Sequence, residues 1–438
     1  MTAGFRVTPV SEVRGTLRVP GDKSISHRSL MLGGLATGVT EVSGFLSSAD
    51  CLATMAALQA MGVQVEQRTD TDLRVHGRGV TGLLAPRHAL DMGNAGTAIR
   101  LFMGLLAGQD FATTLTGDES LRRRPMERVA APLRLMGAQV ATQDGKPPVR
   151  ISPATRLTAI DYALPVASAQ VKSAILLAAL RAEGTTMVSE PAPTRDHTEL
   201  MLRSFGVELR REPGRVWLRG GQSLQAAPVA VPGDFSSAAF FIVAGCLAAA
   251  GTYLIENVGV NPTRTGLLDI LRLMGADIRL HRRGGAGSEP VADIEIRATQ
   301  LHGIRVPEEL VPLAIDEFPI LFIAAACASG ETVVTGAAEL RVKESDRLAV
   351  MAEGLTALGI DCELAPAGIT IEGGGKSGGE FGSGVVDSHG DHRIAMSFAM
   401  ASLRATGPIE IRDVLNVGTS FPGFAETARG VGFAIETI

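Results

Sequence analysis

Charged residues stand beside glycine-rich turns at several places in this 438-residue sequence, in combinations that suit anion binding. In the phrase PGDKSISHR (residues 20–28), a strand ends at Pro-Gly, and Lys23 and Arg28 fall within the first turns of a predicted helix. A helix start presents free backbone N–H groups, and nearby lysine and arginine side chains strengthen its hold on phosphate or carboxylate. A solvated helix start with incidental basic residues explains this phrase alone equally well.

Three further phrases repeat the combination. GNAGT (93–97) leads into a predicted helix that carries Arg100, LRRRPM (121–126) places three arginines before a helix that its proline can start, and HGDHR (389–393) opens another helix. Glycine lets a ligand approach the backbone closely. A solvated charge run accounts for single members of this set, and the two histidines of the last phrase lack the further ligand cluster that a metal site needs.

Two segments add carboxylates. RVKESDR (341–347) sets Lys343 and Arg347 four residues apart, which predicts that both lie on one helical face with Glu344 beside them. The alternative is a surface salt-bridge network. Asp316 and Glu317 stand in the otherwise apolar segment 310–326. Because a buried carboxylate is costly unless it is paired or functional, one of this pair is a candidate acid or base.

These phrases belong to a unit that recurs six times. Each copy begins with a strand, a turn and a helix, and it ends with a second helix that is closed by an apolar residue plus glycine. The closing glycines lie 69 to 84 residues apart, at positions 62, 137, 206, 275, 359 and 432. This regularity indicates one copied supersecondary unit, with each glycine at the left-handed position that ends a helix. Six helix starts of this kind can converge on one cleft and form an anion site.

Interleaved strands and helices indicate an α/β protein. The length predicts two domains of three repeats each: residues 21–232 form the N-terminal lobe, and residues 1–20 plus 233–438 form the C-terminal lobe. The glycine-rich stretches 281–289 and 373–384 are predicted to be exposed hairpin loops. Helices are predicted over Ser26–Leu35, Cys51–Met61, Ala98–Ala107, Ser168–Glu183, Ser236–Ala250 and Phe318–Ala328.

The composition excludes several classes of function. A net charge of −5 and an aromatic content of 4% argue against a nucleic-acid surface. The four cysteines are scattered, without the C-x-x-C spacing of a zinc site. The N-terminal residues lack a signal pattern, and the longest apolar run, 238–250, is too short to span a bilayer. We therefore expect a cytoplasmic protein with no membrane or nucleic-acid partner.

The charged phrases resemble those of the 5-enolpyruvylshikimate-3-phosphate (EPSP) synthase family. In the family's order, the sequence also reads LTGDESLRRRPM (115–126), SAQVKSA (168–174), PTRDHTE (193–199), IDEFP (315–319) and DHRIAMSFA (391–399). The resemblance covers the whole chain. It implies a two-domain inside-out α/β barrel of six βαβαββ repeats, three per domain, that closes on its substrates.

The family transfers the enolpyruvyl group of phosphoenolpyruvate to the 5-hydroxyl of shikimate 3-phosphate and releases phosphate. The resemblance therefore implies a step of aromatic amino acid biosynthesis that proceeds by addition and elimination, in a monomer without cofactor or metal. The two substrates carry roughly six negative charges near neutral pH, and holding them together needs about as many cations.

By position in the matching phrases, the resemblance also implies the site residues. Phosphoenolpyruvate would be held by Lys23, Gly96, Arg124, Gln170, Arg347 and Arg393. Shikimate 3-phosphate would be held by Lys23, Ser24, Arg28, Ser168, Gln170, Arg195, Asp316 and Lys343. Asp316 is the implied base for the hydroxyl group, and Glu344 or Lys23 is the implied acid/base group at C3.

One segment departs from the family pattern. Many members carry a lysine just before the C-terminal S/T-F-P phrase, but this chain reads NVGTSFP over 416–422, without that cation near Gly418. The phrases at 168–172, 195–199 and 261–264 resemble the class II subgroup, which is described as tolerant of glyphosate. Gly96 points the other way, because a methyl group at this position could exclude the inhibitor. Together these features predict intermediate to high tolerance.

Two alternatives stay open at this point. UDP-N-acetylglucosamine enolpyruvyl transferase shares the fold, but its expected catalytic cysteine is absent from residues 115–126. A non-catalytic repeat protein that binds anions or RNA ends would spread basic residues over an outer face. It would not place carboxylates such as Asp316 and Glu344 beside the cations.

Overall fold

The computed structural model describes residues 3–249, 251–283, 289–374 and 380–438, and it has a mixed α/β fold. Short 3-10 helices cover Glu308–Leu310, Ala338–Val342, Ala401–Arg404 and Leu415–Thr419. The α-helices are α1 (Lys23–Leu35), α2 (Ala49–Ala60), α3 (Gly96–Leu106), α4 (Glu119–Arg123), α5 (Glu127–Leu135), α6 (Ala169–Ala179), α7 (His197–Ser204), α8 (Phe235–Leu247), α9 (Gly266–Leu273), α10 (Val311–Ala314), α11 (Phe318–Cys327), α12 (Arg347–Ala357), α13 (His392–Met400) and α14 (Phe424–Gly430).

The strands are mostly short. They are β1 (Phe5–Thr8), β2 (Gly15–Arg18), β3 (Ala36–Thr37), β4 (Val39–Ser43), β5 (Gln64–Gln67), β6 (Leu73–His76), β7 (Leu90–Asp91), β8 (Thr113–Thr116), β9 (Gln139–Gln143), β10 (Lys146–Ser152), β11 (Leu157–Thr158), β12 (Asp161–Ala163), β13 (Ala182–Glu183), β14 (Thr185–Ser189), β15 (Leu209–Glu212), β16 (Arg215–Arg219), β17 (Leu224–Gln225), β18 (Val229–Ala230), β19 (Thr252–Gly259), β20 (Asp277–Arg283), β21 (Val291–Arg297), β22 (Gly330–Val334), β23 (Cys362–Ala365), β24 (Gly368–Gly373), β25 (Gly384–Asp387), β26 (Ile409–Arg412) and β27 (Ala434–Thr437).

The described residues divide into two compact units. Unit A consists of Gly21–Val231 together with Glu289. Unit B consists of the described residues of Met1–Pro20, Pro232–Gly284 and Pro290–Ile438. The first strands of the chain belong to unit B because β1 pairs with β26 and β27, and β2 pairs with β19.

Unit A contains three four-stranded sheets, in the orders β18-β4-β6-β5, β7-β8-β10-β9 and β12-β14-β16-β15. In each sheet the first pair is parallel and the other two pairs are antiparallel. The helices α1, α3 and α6 are buried on nearly every side, which suits their small and apolar residues. Their N-terminal ends carry the charged phrases.

Unit B repeats the scheme. Two four-stranded sheets have the orders β2-β19-β21-β20 and β25-β26-β1-β27, and a three-stranded sheet has the order β22-β24-β23. The helices α8, α11 and α13 are almost fully buried. Asp234 and Asp391 cap α8 and α13 by accepting hydrogen bonds from the backbone N–H groups of Ser236 and Arg393.

The helix starts and the closing glycines confirm the repeated phrase. The six predicted turns precede α1, α3, α6, α8, α11 and α13. All six closing glycines have positive φ angles, between 83° and 112°, in the region that disfavours other residues. The sequence-predicted phrase therefore corresponds to real helix starts and helix ends.

Four local predictions are wrong. The helix predicted over Ser168–Glu183 ends at Ala179, because Ala182–Glu183 pairs with β11 as a strand. Lys343 has an extended backbone and α12 begins only at Arg347, so these two residues do not share a helical face. Pro125 does not start α5, because Met126 is the N-cap and the helix begins at Glu127; the three arginines do precede this helix as predicted, with Arg122 and Arg123 in the short helix α4 and Arg124 directly after it.

The fourth error concerns a loop. The stretch 373–384 does not form a hairpin, because β24 and β25 belong to different sheets. The stretch 281–289 does connect an antiparallel pair, β20 and β21. Residues 284–288 and 375–379, in the middle of these two stretches, lie outside the described part of the chain.

Candidate functional site

The first predicted site residues lie at the start of α1 in unit A. Asp22 caps this helix by accepting a hydrogen bond from the backbone N–H of Ile25 over 2.8 Å. The cap places Lys23 at the first helical position, where its Nζ forms an ion pair with Oδ2 of Asp50 over 3.0 Å. Asp50 is buried at the start of α2. The lysine therefore has a fixed carboxylate partner that comes from another helix.

Arg28 lies one helical turn further along α1 and is buried. Its Nε donates to Oγ1 of Thr198 on α7 over 2.7 Å, and its Nη2 donates to Oγ of Ser173 on α6 over 3.0 Å. Burial lowers the pKa of Arg28 to about 10; Glu199 opposes this shift and nearby Arg195 adds to it. The guanidinium stays charged at neutral pH; Arg195 adds positive charge near it, and Glu199, Asp22 and Glu289 add negative charge.

A second cluster surrounds the start of α3. A side-chain Cβ placed at Gly96 would lie 2.9 Å from Nη1 of Arg124 and 3.1 Å from Nη1 of Arg100. Arg100 is buried and donates from Nη1 to Oε1 of Gln170 over 2.8 Å. The amide nitrogen of Gln170 donates to Oγ1 of Thr97 over 3.0 Å. The glycine thus lets two arginines lie against the helix start, and one of them orients the glutamine.

Two other unit A residues occupy supporting positions. Ser168 caps α6 by accepting a hydrogen bond from the N–H of Val171 over 3.5 Å, which places Gln170 in the first turn of that helix. The backbone carbonyl of Ser24 accepts a hydrogen bond from Nη1 of Arg28 over 2.9 Å.

In unit B, the predicted residues gather around Asp316, which directly precedes the N-cap of α11. Its Oδ1 lies 3.4 Å from Nζ of Lys343 and 3.4 Å from Nη1 of Arg347. Nη2 of Arg347 contacts Oε2 of Glu344 over 2.6 Å. Arg393 donates from Nη1 to the backbone carbonyl of Asp316 over 2.9 Å. All five residues predicted in this unit are therefore brought together.

Arg347 lies at the centre of this group and is fully buried. Its Nε donates to Oδ2 of Asp391 over 2.8 Å. Burial opposes its positive charge, but Asp391, Glu344 and Asp316 outweigh that cost and raise the pKa of Arg347. The guanidinium is permanently charged and matched by three carboxylates.

The sequence analysis missed partners that lie far away along the chain. Arg100, Asp391 and Arg264 were noticed only as parts of phrases, Glu317 only as one of two candidate carboxylates, and Asp50 was not singled out. Asp50 lies beside Lys23, Asp391 beside Arg347 and Arg100 beside Gln170, and Glu317 is 3.7 Å from Arg393. Arg264 in turn lies 4.0 Å from Glu317. The signal available in the sequence for Glu317 was a carboxylate in the otherwise apolar segment 310–326, and for Asp391 it was a carboxylate at a predicted helix start.

Comparison with known proteins identifies the family of this chain. A sequence profile of the family described as EPSP synthase (3-phosphoshikimate 1-carboxyvinyltransferase) matches residues 7–428. The chain is 59% identical over 433 residues to a curated protein from Methylococcus capsulatus named 3-phosphoshikimate 1-carboxyvinyltransferase, and the match covers 99% of this chain and 98% of that protein. A protein of the same name from Alkalilimnicola ehrlichii is 57% identical over 432 residues, which cover 98% of this chain and 96% of the relative.

The fold is also similar to a known structure. A solved structure of EPSP synthase from Acinetobacter baumannii matches with a TM-score of 0.89 at 53% sequence identity, and the match covers 100% of each chain. Among the residues that the structure describes, no helix combines the length and apolarity that a membrane span requires. The motif-based resemblance is thereby confirmed: this chain belongs to the EPSP synthase family.

Proposed function

We propose that this chain carries out the family's reaction by addition and elimination, with the cationic side chains that the family resemblance implies as the substrate-binding groups. As a member of its family, the chain is an enolpyruvyl transferase: it transfers the enolpyruvyl group of phosphoenolpyruvate to shikimate 3-phosphate in aromatic biosynthesis. The observation that carries the mechanism is the position of Asp316, a carboxylate 3.4 Å from both Lys343 and Arg347.

In this proposal, unit A supplies most of the shikimate 3-phosphate contacts. Arg28 and Arg195 are the charged groups for the phosphate, because Arg28 is held rigidly by α6 and α7. A fixed guanidinium loses little conformational entropy on binding. The full set is Lys23, Ser24, Arg28, Ser168, Gln170, Arg195, Asp316 and Lys343.

The family resemblance supports a phosphoenolpyruvate-binding role for the cluster around Gly96. Because Gly96 has no side chain, an anion can approach Arg124 closely at this helix start. Arg100 orients Gln170 by donating a hydrogen bond to its side-chain oxygen. The full set is Lys23, Gly96, Arg124, Gln170, Arg347 and Arg393.

The chemistry requires one proton to move onto the enol carbon and one to leave the hydroxyl group. Protonation of C3 makes C2 of phosphoenolpyruvate electrophilic, and the 5-hydroxyl oxygen attacks C2 while Asp316 takes its proton. The resulting tetrahedral intermediate then loses the C3 proton and phosphate together, which regenerates the carbon–carbon double bond. We assign the proton exchange at C3 to Glu344 or Lys23, since each is held by an oppositely charged partner: Glu344 by Arg347 and Lys23 by Asp50.

The finer architecture belongs to the same proposal. Each unit is taken to contain three βαβαββ repeats that form half of an inside-out α/β barrel, with lobes at 21–232 and at 1–20 plus 233–438. The recurrence of one strand order, a parallel pair followed by antiparallel pairs, supports this. We further propose a monomeric, cytoplasmic enzyme without a nucleic-acid partner or cofactor, related to the glyphosate-tolerant class II subgroup.

Phosphate release tests the function. The purified chain is supplied with shikimate 3-phosphate and phosphoenolpyruvate in the presence of EDTA, and phosphate is measured with either substrate omitted as a control. We expect release only when both are present. Phosphate formation that EDTA abolishes and a divalent ion restores would refute the metal-free mechanism.

Variants separate chemistry from binding. Asp316→Asn and Glu344→Gln should each lower kcat about a hundredfold to ten-thousandfold, the usual cost of losing a positioned acid or base. Arg28→Ala should instead mainly raise the KM for shikimate 3-phosphate, because its contact is made in the ground state and the transition state alike. Normal turnover by Asp316→Asn would exclude it as the base.

A further inference from the structure

Unit B contains a buried carboxylate that the mechanism above does not use. Glu317 is the N-cap residue of α11 and is 2% exposed. Its Oε1 accepts a hydrogen bond from the hydroxyl group of Ser236 on α8. Its Oε2 is buried and accepts no hydrogen bond from any residue that the structure describes. A carboxylate in such a place is costly unless a nearby cation compensates it.

Two arginines provide that compensation. Oε1 of Glu317 lies 3.7 Å from Nη1 of Arg393 and 4.0 Å from Nη2 of Arg264. Arg264 is itself buried, and its Nη2 donates to Oδ1 of Asp234 over 3.0 Å and to Oγ of Ser236 over 2.6 Å. The network therefore connects the starts of α8, α11 and α13.

The hydrogen bonds in this network have a fixed direction. A guanidinium can only donate, so the hydroxyl oxygen of Ser236 is an acceptor towards Arg264. The single proton of this hydroxyl is then free to point at Glu317, whose carboxylate can only accept when ionised. The order Arg264, Ser236, Glu317 holds the carboxylate in one orientation, and charged members strengthen each bond.

The oriented carboxylate of Glu317 lies close to the guanidinium of Arg393. In the described part of the chain, its side chain donates hydrogen bonds from Nη1 only, to the carbonyl oxygen of Asp316 over 2.9 Å. The backbone carbonyl of Asp316 and the carboxylate of Glu317 thus both contact Nη1 of Arg393, and this nitrogen is the atom through which the guanidinium is oriented.

We propose that Glu317 is a positioning residue that fixes the guanidinium of Arg393 for phosphoenolpyruvate, and that Arg264 and Ser236 fix Glu317 in turn. This inference rests on the proposed role of Arg393 in binding that substrate. An arginine side chain that is already ordered gives up less conformational entropy when an anion binds. The expected consequence is selective: the affinity for phosphoenolpyruvate depends on Glu317, whereas the affinity for shikimate 3-phosphate does not.

The test compares KM values in Glu317→Gln and Ser236→Ala. Glu317→Gln keeps the shape of the side chain and removes its charge, and we expect the KM for phosphoenolpyruvate to rise about tenfold. The KM for shikimate 3-phosphate should change by less than about threefold. Ser236→Ala keeps the charge of Glu317 and removes the hydrogen bond that holds it, so a smaller rise in the KM for phosphoenolpyruvate is expected, about threefold.

If Glu317→Gln does not fold, the KM values of Ser236→Ala alone test the inference. Equal changes in both KM values, or a loss of thermal stability without any change in KM, would show that the network is merely structural and overturn the inference.

A double-mutant cycle with Arg393→Ala separates this inference from the function on which it rests. If Glu317 acts through Arg393, then Glu317→Gln should have almost no further effect on the phosphoenolpyruvate KM in the Arg393→Ala background. If Arg393→Ala alone leaves that KM unchanged, the proposed role of Arg393 has failed. If Arg393→Ala raises it and Glu317→Gln raises it again by the same factor, the role of Arg393 stands and the positioning role of Glu317 is wrong.

Discussion

Arg347 donates from Nε to Oδ2 of Asp391 over 2.8 Å, and both side chains are withdrawn from water. Asp391 also caps α13, because its Oδ1 accepts a hydrogen bond from the N–H of Arg393 over 2.9 Å. One carboxylate therefore positions two arginines of the proposed phosphoenolpyruvate set. It holds the side chain of the first directly, and it fixes the backbone from which the second projects.

Replacing this carboxylate should cost both stability and binding. In Asp391→Asn, the buried guanidinium of Arg347 loses its ion pair with Asp391, a carboxylate that is itself fully buried. Breaking a buried ion pair costs about 3–5 kcal/mol. Urea unfolding should show that loss, and the KM for phosphoenolpyruvate should rise. Asp346→Asn is the matched control, since Asp346 caps α12 and pairs with Arg341 nearer the solvent. The control should lose only about 1 kcal/mol. Equal losses in the two variants would contradict the special role of the buried pair.

His27 makes stability depend on pH. It is fully buried in α1, and its Nδ1 lies 2.7 Å from Oγ1 of Thr54. Burial, together with Lys23 and Arg28, lowers the pKa of His27 to about 3. The unfolded chain takes up a proton at this residue below its ordinary pKa of about 6.5, whereas the folded chain does not until about pH 3. The stabilisation that neutral His27 contributes is therefore fully present above pH 6.5, and it decreases as the pH falls below that value.

The loss should amount to about 1.4 kcal/mol per pH unit once the unfolded residue is protonated. The measurement is the free energy of unfolding in urea between pH 7.5 and pH 5, for the unmodified chain and for His27→Gln. The variant should show a shallower decline, with His88→Gln at an exposed position as the matched control. Parallel curves for the unmodified chain and His27→Gln would mean that the folded state accepts the proton.

The sequence was sufficient for features that depend on local geometry. The helix starts were marked by Asp, Ser and Gly residues, and the closing glycines by their left-handed position, because both follow from the unpaired ends of a helix. The spacing of Lys343 and Arg347 predicted a shared helical face that the structure does not contain. Asp346 accepts a hydrogen bond from the N–H of Ala349 and starts α12 at Arg347, so Lys343 lies before the helix. The two cations nevertheless meet, because both contact Asp316.

The long-range pairs could not be predicted in the same way. Lys23 and Asp50 are 27 residues apart, and Arg347 and Asp391 are 44 residues apart. No local period connects such residues, since their proximity is set by how buried helices pack. Burial of a charged residue could not be predicted from the sequence either. Arg347 directly follows a run of charged and polar residues in the sequence, as a surface residue would, yet it is buried among three carboxylates.

Gly96 should control the balance between substrate and inhibitor. In Gly96→Ala, the added methyl group would lie 2.9 Å from Nη1 of Arg124 and 3.1 Å from Nη1 of Arg100, so both guanidinium groups must shift. A clash of one methyl group costs about 1–3 kcal/mol. We expect the inhibition constant of glyphosate to rise by more than the KM for phosphoenolpyruvate, because glyphosate is the longer molecule.

Steady-state kinetics with both ligands check this. The unmodified chain should already show intermediate to high tolerance, and tight inhibition competitive with phosphoenolpyruvate would contradict its assignment to the tolerant subgroup. Gly418→Ala is the control, because a Cβ at this position meets no atom within 4 Å.

Restoring the family's missing lysine should strengthen phosphoenolpyruvate binding. The residue directly before Ser420-Phe421-Pro422 is Thr419, which ends a 3-10 helix and is half-buried. Its hydroxyl donates to the carbonyl of Asn416 over 2.7 Å, a local bond whose loss should cost about 1 kcal/mol or less. Thr419→Lys introduces a cation where many relatives have one, and we expect the KM for phosphoenolpyruvate and the inhibition constant of glyphosate to fall together. Thr419→Gln, similar in length but neutral, separates the charge from the change of shape. Equal KM values for phosphoenolpyruvate in the two variants, or weaker binding by Thr419→Lys, would show that this segment does not contact the substrate's phosphate in this chain.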